Sequence, residues 1–150
     1  MISWTDDLNT GIAAIDDDHK FLVMLINTFS QMAKNGASSD HLGAAIEALG
    51  EYAENHFTRE EALMMIGNYQ QIKPHRNCHR EFSCVVDTLN KLYRQCPSMV
   101  SIAGVSVFLQ EWLLSHIAIT DHAYVDQMNK HKGVIDLVSD NMRNDGSFSL

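Results

Sequence analysis

Apolar residues recur at three- and four-residue steps along most of the chain, and their stripes predict four long helices. The first covers about residues 17 to 35, with Leu22, Leu25, Ile26 and Phe29 on one face and Asp16 to Asp18 as capping candidates. "KNGASSD" ends it: Gly36 suits the position after the last helical residue, and Ser38, Ser39 or Asp40 suits the cap of the next helix. The second covers about residues 40 to 65, with Leu49, Ala53 and Leu63 in register, and "IGNYQ" closes it. The third covers about residues 70 to 95, with Ile72, Phe82, Val86 and Leu89 at core spacing. Pro74 falls in its first turns, where a missing N–H is tolerated. After "QCPS", the fourth runs from about residue 99 to 120 or beyond, with Leu109 and Leu113 inward. "DLVSDNMR" reads as a short final helix and "NDGSFSL" as a loose tail. Short connections between long helices predict an all-α, up-down-up-down antiparallel four-helix bundle with a short N-terminal arm. The chain reads as one domain over residues 1–150, its bundle core at about residues 17 to 122.

The apolar stripes are interrupted in an unusual way. His19 shares the inward face of the first helix with Leu22 and Ile26. His56 and Glu60, four apart, share the stripe of Leu49, Ala53 and Leu63. His75 and His79, also four apart, are in register with Phe82 and Val86, and His116 continues the stripe of Leu109 and Leu113, with Asp121 five residues on. One histidine on an apolar face is ordinarily a core residue with one hydrogen bond. A whole set of imidazoles and two carboxylates on the inward faces of four helices is too costly to bury without cations. Imidazole and carboxylate without thiolate suit iron, zinc, copper or manganese. With both carboxylates bridging and one bridging solvent oxygen, the donors fall one short of two octahedra. One metal is then left with an open position, suited to a small diatomic molecule. Residues i and i+5 of a regular helix lie roughly 140° apart. A π-bulge in the fourth helix is therefore expected if His116 and Asp121 serve the same site.

Composition limits the remaining classes. A length of 150 residues, 45% of them hydrophobic and 20% charged, fits a globular protein with one core. A formal net charge of -8 argues against nucleic-acid binding and against an anionic membrane surface. "MISWTDDLNTG" is acidic where a signal peptide is basic, and no apolar run is expected to span a bilayer. Cys78, Cys84 and Cys96 form no CxxC pair and are expected as core or semi-buried thiols in a reducing cytoplasm.

Five pieces of the chain together resemble the hemerythrin family, most of all its single-domain bacterial members. They are Trp4, "GIAAIDDDH" ending at His19, "HFTREEALM" from His56, "HRNCH" from His75 to His79, and "LQEWLLSHIAITDHAY" from Leu109 to Tyr124. The resemblance implies two iron ions joined by an oxo or hydroxo bridge, binding O2 reversibly. It implies that His75, His79 and His116 hold one iron, that His19 and His56 hold the other, and that Glu60 and Asp121 bridge them. It further implies an O2 pocket lined by Leu22, Phe57, Trp112, Leu113 and Ile117, with Phe57, Leu113 and Ile117 nearest the gas. Two positions depart from the family pattern: Gln70 stands where a proline often follows the tyrosine, and His122 where a lysine is common. His41, His122 and His131 are expected to face solvent, Tyr124 to approach Asp121 as a hydrogen-bond donor, and Met64 and Met65 to fill core space.

The expected function is cytoplasmic carriage, storage or delivery of O2, with no catalytic residues and with oxidase or peroxidase turnover at most a side activity. The expected recipient is an oxygen-consuming enzyme or a signalling protein, without nucleic acid or membrane insertion. An alternative is an O2- or redox-sensing module acting through a partner. A di-iron peroxide or nitric-oxide reductase is less favoured, because the chain lacks the Glu-x-x-His pairs of carboxylate-rich di-iron enzymes.

Overall fold

Glycines follow the ends of the first two long helices, and a serine side chain caps the start of the fourth. The computed structural model describes residues 1–36 and 39–144, with backbone alone at 39 and 40. Helix α1 spans Ala13–Asn35 and ends at Gly36, whose φ of 70° suits a residue without Cβ and whose N–H reaches Met32 O. Helix α2 spans Ser39–Ile66 and α3 spans Ile72–Gln95, with Pro74 in the first turn of α3 as expected. Helix α4 spans Ile102–Ser115 and is capped by Ser101, whose side chain accepts Gly104 N–H. It continues without a break through a π-helical segment, His116–Asp121, into α5, His122–Asn129. A further helix, α6, spans Lys132–Asn144.

These elements form the antiparallel four-helix bundle that the periodicity predicts: α1, α2, α3 and the continuous α4–α5 rod run up, down, up and down. Two apolar clusters fill it. The larger includes Leu22, Ile26, Phe29, Leu49, Phe57, Phe82, Leu109, Leu113 and Ile117. The smaller, at the other end, joins Ile12, Ile15, Leu63, Met64, Tyr124 and Met128 to Ile135 of α6. Each fully buried large side chain here contributes about 1.5–3 kcal/mol by leaving water. Gly67, which follows α2, leaves no room for a side chain: a Cβ there would lie 2.3 Å from Met128 Sδ.

Both ends of the described chain are tied to α1. Ile2 N–H and C=O both bond to the Asn27 amide at 2.8 Å, and Trp4 Nε1 donates to Asn9. Helix α6 packs on α1 and α2, where buried Ser139 Oγ accepts Ala14 N–H at 2.9 Å and Arg143 bonds Asp17 at 2.7 Å.

Several expectations are corrected. Helix α1 begins four residues earlier than expected, and its N-cap is Ile12, not an aspartate. Asp16 instead reaches back to Thr10 N–H and Oγ1 and to Gly11 N–H, and Asp18 faces the core. The proposed caps at Ser38, Ser39 and Asp40, and residues 145–150 of the tail, lie outside the described side chains. A run long and apolar enough to cross a bilayer does exist: the 28-residue rod Ile102–Asn129. It serves as a bundle helix, with Leu109, Leu113, His116, Ile117 and Asp121 buried inward, while Val107 and Ile119 add exposed apolar residues. Cys84 and Cys96 are exposed and only Cys78 is partly buried, all three free. Met64 is buried but Met65 faces outward.

Candidate metal centre

All seven inward polar residues meet between the two apolar clusters, and all are buried: His19 from α1, His56 and Glu60 from α2, His75 and His79 from α3, His116 and Asp121 from the π segment. The expected π-bulge is present and spans both residues that required it. His122 N–H closes the wide turn on Ile117 O, and His122 Nδ1 donates to the same carbonyl at 2.7 Å. His122 is thus partly buried and engaged in the backbone, whereas His41 and His131 are exposed as expected.

The donors fall into two overlapping groups. In one, Nε2 of His79 lies 3.1 Å from Nε2 of His75 and 3.2 Å from Nε2 of His116. In the other, the His19 and His56 rings are 4.9 Å apart. Both carboxylates reach both groups. Glu60 Oε2 is 3.2 Å from His75, 3.0 Å from His79 and 3.9 Å from His56. Asp121 Oδ1 is 3.1 Å from His116 and 3.4 Å from His75, while its Oδ2 is 3.2 Å from His19. Four residues of the first group, Glu60, His75, His79 and His116, and three of the second, His19, His56 and Glu60, offer ligand atoms within 4.8 Å of one another.

The chemistry of this donor set fits metal ions. Two nitrogens each about 2.1 Å from one ion, at right angles, are about 3.0 Å apart, close to the Nε2 spacings above. Among the described residues, the buried side-chain atoms without a hydrogen-bond partner are His19 Nδ1 and Nε2, His75 Nδ1, Asp121 Oδ1 and Oδ2, and Asn90 Oδ1. All but the last belong to this cluster. Orphaned buried lone pairs at such density are costly unless they face a cation.

Electrostatics point the same way. Burial pushes Glu60 up, but hydrogen bonds from His75 and His79 hold it well below the ordinary glutamate value. Burial and the Glu60 charge raise Asp121, and His116 and His19 outweigh them, leaving it lowered. Burial lowers His19, yet Asp121 and Glu60 raise it above the ordinary histidine value. His56 is lowered, chiefly by burial. The two carboxylates are thus held in their charged form inside the bundle, where they favour a cation beside them.

Two aromatic side chains, Phe57 and Trp112, border the cluster. Leu22, Phe57, Leu113 and Ile117 are buried, and Trp112 is half-buried. Phe57 stacks on His79 at 3.9 Å and lies 5.5 Å from His56, so it touches both groups. Trp112 stacks on His116 at 4.4 Å, beside the three-histidine group. Tyr124 is buried and donates to Glu60 Oε1 at 2.7 Å, not to Asp121. Burial and the nearby carboxylates raise its phenol well above the ordinary tyrosine value, so it stays a donor.

The periodic reading missed a second layer. Asp18, fully buried, accepts from Arg59 Nε at 2.9 Å and Nη2 at 2.7 Å, from Tyr52 at 2.8 Å and from His56 Nδ1 at 3.3 Å. Glu61 accepts from His79 Nδ1 at 3.0 Å and Arg76 Nε at 2.7 Å. Arg59 was the available signal, an arginine sitting in "HFTREE" directly before an inward glutamate.

Comparison with known proteins agrees with this architecture. The family model described as "Hemerythrin HHE cation binding domain" matches residues 10–128. A bacteriohemerythrin of Pseudomonas paraeruginosa is 35% identical over 129 residues, 82% of this chain and 78% of that protein. One from Stenotrophomonas maltophilia is 30% identical over 131 residues, covering 87% and 84%. Myohemerythrin-1 of Phascolopsis gouldii is 25% identical over 122 residues, covering 81% and 89%. A crystal structure of wild-type hemerythrin superimposes with a TM-score of 0.78 at 26% identity, covering 85% of this chain and 98% of the other. The family's cofactor is a di-iron centre, and this chain has the His, Glu and Asp groups able to hold metal ions. Fold, donor chemistry and sequence similarity converge, and the chain belongs to the hemerythrin family.

Proposed function

We propose that the chain binds O2 reversibly at a di-iron centre, for carriage, storage or delivery of oxygen in the cytoplasm. In this reading His75, His79 and His116 hold one iron, His19 and His56 hold the other, and Glu60 and Asp121 bridge them. The carrying observation is the position of the two carboxylates, each within 4 Å of histidine nitrogens of both groups. Two shared carboxylates between sets of three and two imidazoles make a paired site of unequal saturation. Bound there, the iron pair supplies the electrons that reversible dioxygen binding requires.

The protein's own residues supply the rest. Leu22, Phe57, Leu113 and Ile117 are the proposed gas-facing wall, and their burial keeps water from the less saturated side. Trp112 covers the outer face of His116. Tyr124 holds Glu60 by one oxygen, leaving the other toward the histidines. Free cysteines fit a reducing compartment.

Metal analysis of purified protein, followed by anaerobic reduction and titration with O2, tests the reading. Two irons per chain and an absorption change that cycles with O2 pressure are expected. Fewer than two metals in folded protein, or irreversible oxidation on first exposure, overturns it. Steady turnover of peroxide or nitric oxide replaces carriage with catalysis.

A further inference from the structure

The tripeptide Arg59–Glu60–Glu61 sends its three side chains in three directions. At about 100° per residue on a helix, one neighbour of an inward residue faces one adjacent helix and the other neighbour faces the opposite one. Glu60 points into the bundle. Arg59 turns to α1, where it grips Asp18 with two nitrogens at 2.9 and 2.7 Å. Glu61 turns to α3, where it meets His79 Nδ1 at 3.0 Å and Arg76 Nε at 2.7 Å. Asp18 in turn lies 3.3 Å from His56 Nδ1.

We propose that Asp18 and Glu61 are positioning residues, one for each metal position, which hold His56 and His79 by Nδ1–H so that Nε2 faces the metals, with Arg59 and Arg76 fixing the two carboxylates. A carboxylate only accepts, so each contacted Nδ1 carries the proton and each Nε2 keeps its lone pair. In both histidines Nε2 is the atom directed at Glu60. Each carboxylate is paired with an arginine, so neither adds net charge to the cluster. A carboxylate on the far nitrogen makes an imidazole a stronger donor, and its removal typically weakens metal binding about 10–100-fold. The two arrangements differ in burial. Asp18 is sealed, with Tyr52 as an additional donor at 2.8 Å, whereas Glu61 and Arg76 are partly exposed and Glu61 borders a groove between α2 and α3. Salt therefore weakens the Glu61 arrangement and leaves the Asp18 arrangement untouched.

This inference rests on the metal ligation proposed above, and the test separates the two. Wild type, D18N, R59M, E61Q and Y52F are compared in full-length protein by three measurements: metals retained, midpoint potential of the loaded pair, and nitrogen-15 spectra of the histidines in zinc-loaded protein. If wild type does not hold two metals, the ligation reading fails first. If it does, D18N and E61Q are expected to retain metal about 10–100-fold less tightly. In D18N the His56 Nδ1–H signal moves toward that of a solvent-exposed imidazole. In R59M the signal stays and the potential falls, because an unneutralised Asp18 draws the proton more strongly; in D18N the potential rises. The plain loss of either charge also shifts the potential in these senses, so the His56 Nδ1–H signal is the readout that a merely structural role would not move. Should D18N fail to fold, Y52F carries the test: with one donor lost, Asp18 bonds His56 more closely and the signal moves further downfield. Potential shifts of one sign in D18N and R59M, or an unchanged His56 signal in D18N or Y52F, overturns the proposal.

Discussion

His116 and Asp121 are five residues apart in the chain, yet His116 Nε2 lies 3.1 Å from Asp121 Oδ1. A regular helix would place them roughly 140° apart. The π segment widens one turn and brings them to one face, with His122 doubly bonded to Ile117 O at the point of widening. The same Asp121 also reaches His19 across the bundle with its other oxygen.

In the proposed ligation Asp121 bridges the two irons, so its removal is expected to lower the metal content. Asp121→Ala should reduce bound metal from two to at most one per chain, with helix content kept. Elemental analysis beside circular dichroism checks this. Retention of two metals would mean that Asp121 is not a bridge.

Tyr124→Phe deletes the hydroxyl that Glu60 Oε1 accepts at 2.7 Å and leaves a buried carboxylate oxygen without its donor. Hydrogen bonds to charged groups contribute about 1.5–3 kcal/mol. A loss of that size is expected in the unfolding free energy, measured by urea titration, of protein stripped of metal by chelation. A change below about 0.5 kcal/mol would show that Glu60 finds another partner.

Stripped protein should also have a bounded pH range of stability. Asp18, Glu60 and Asp121 are lowered from their ordinary values of 3.8, 4.5 and 3.8. For Asp18 burial pushes up, but His56, Arg59 and Tyr52 prevail. The stability these carboxylates add is present above those ordinary values and lost as pH falls through the lowered ones. His19 is raised above 6.5, so its contribution is present below 6.5 and lost as pH rises through its raised value. His56, lowered by burial, destabilises the fold below 6.5, so denaturant midpoints across pH are expected to rise above 4.5 and to peak near 6.5. Metal uptake in that range must expel the His19 proton, so calorimetry in buffers of different ionisation enthalpy should register proton release, with affinity falling toward acid.

Helix α6 lies beyond residue 128, where the family match ends. Ser139→Ala should leave Ala14 N–H buried without an acceptor, at a cost of about 1–3 kcal/mol. Thermal unfolding checks it, and no loss would mean that α6 does not anchor the start of α1.

The helices were legible because their inward stripes are long and regular, as the Leu22, Ile26 and Phe29 spacing in α1 illustrates. The buried ligand candidates were legible because charged and imidazole groups break those stripes where apolar residues belong. Even the π segment was predictable, since an i, i+5 pair cannot share a regular face. Helix starts were not, because α1 opens at Ile12 without a side-chain cap, its first turn held instead by Asp16 and by Ser139 from the distant α6. Asp18 read as a cap because an aspartate near a helix start usually is one; its partners Tyr52, His56 and Arg59 lie 34 to 41 residues away. Pairing across helices depends on the rotation of both, which one-dimensional periodicity leaves open.

Glu60 and Asp121 each belong to two sets of neighbours at once. In the proposed ligation, the first ion to bind would orient both carboxylates and so leave half of the nest complete for the second. Loading should therefore run nearly all-or-none, with chains carrying a single ion scarce even at half-saturation.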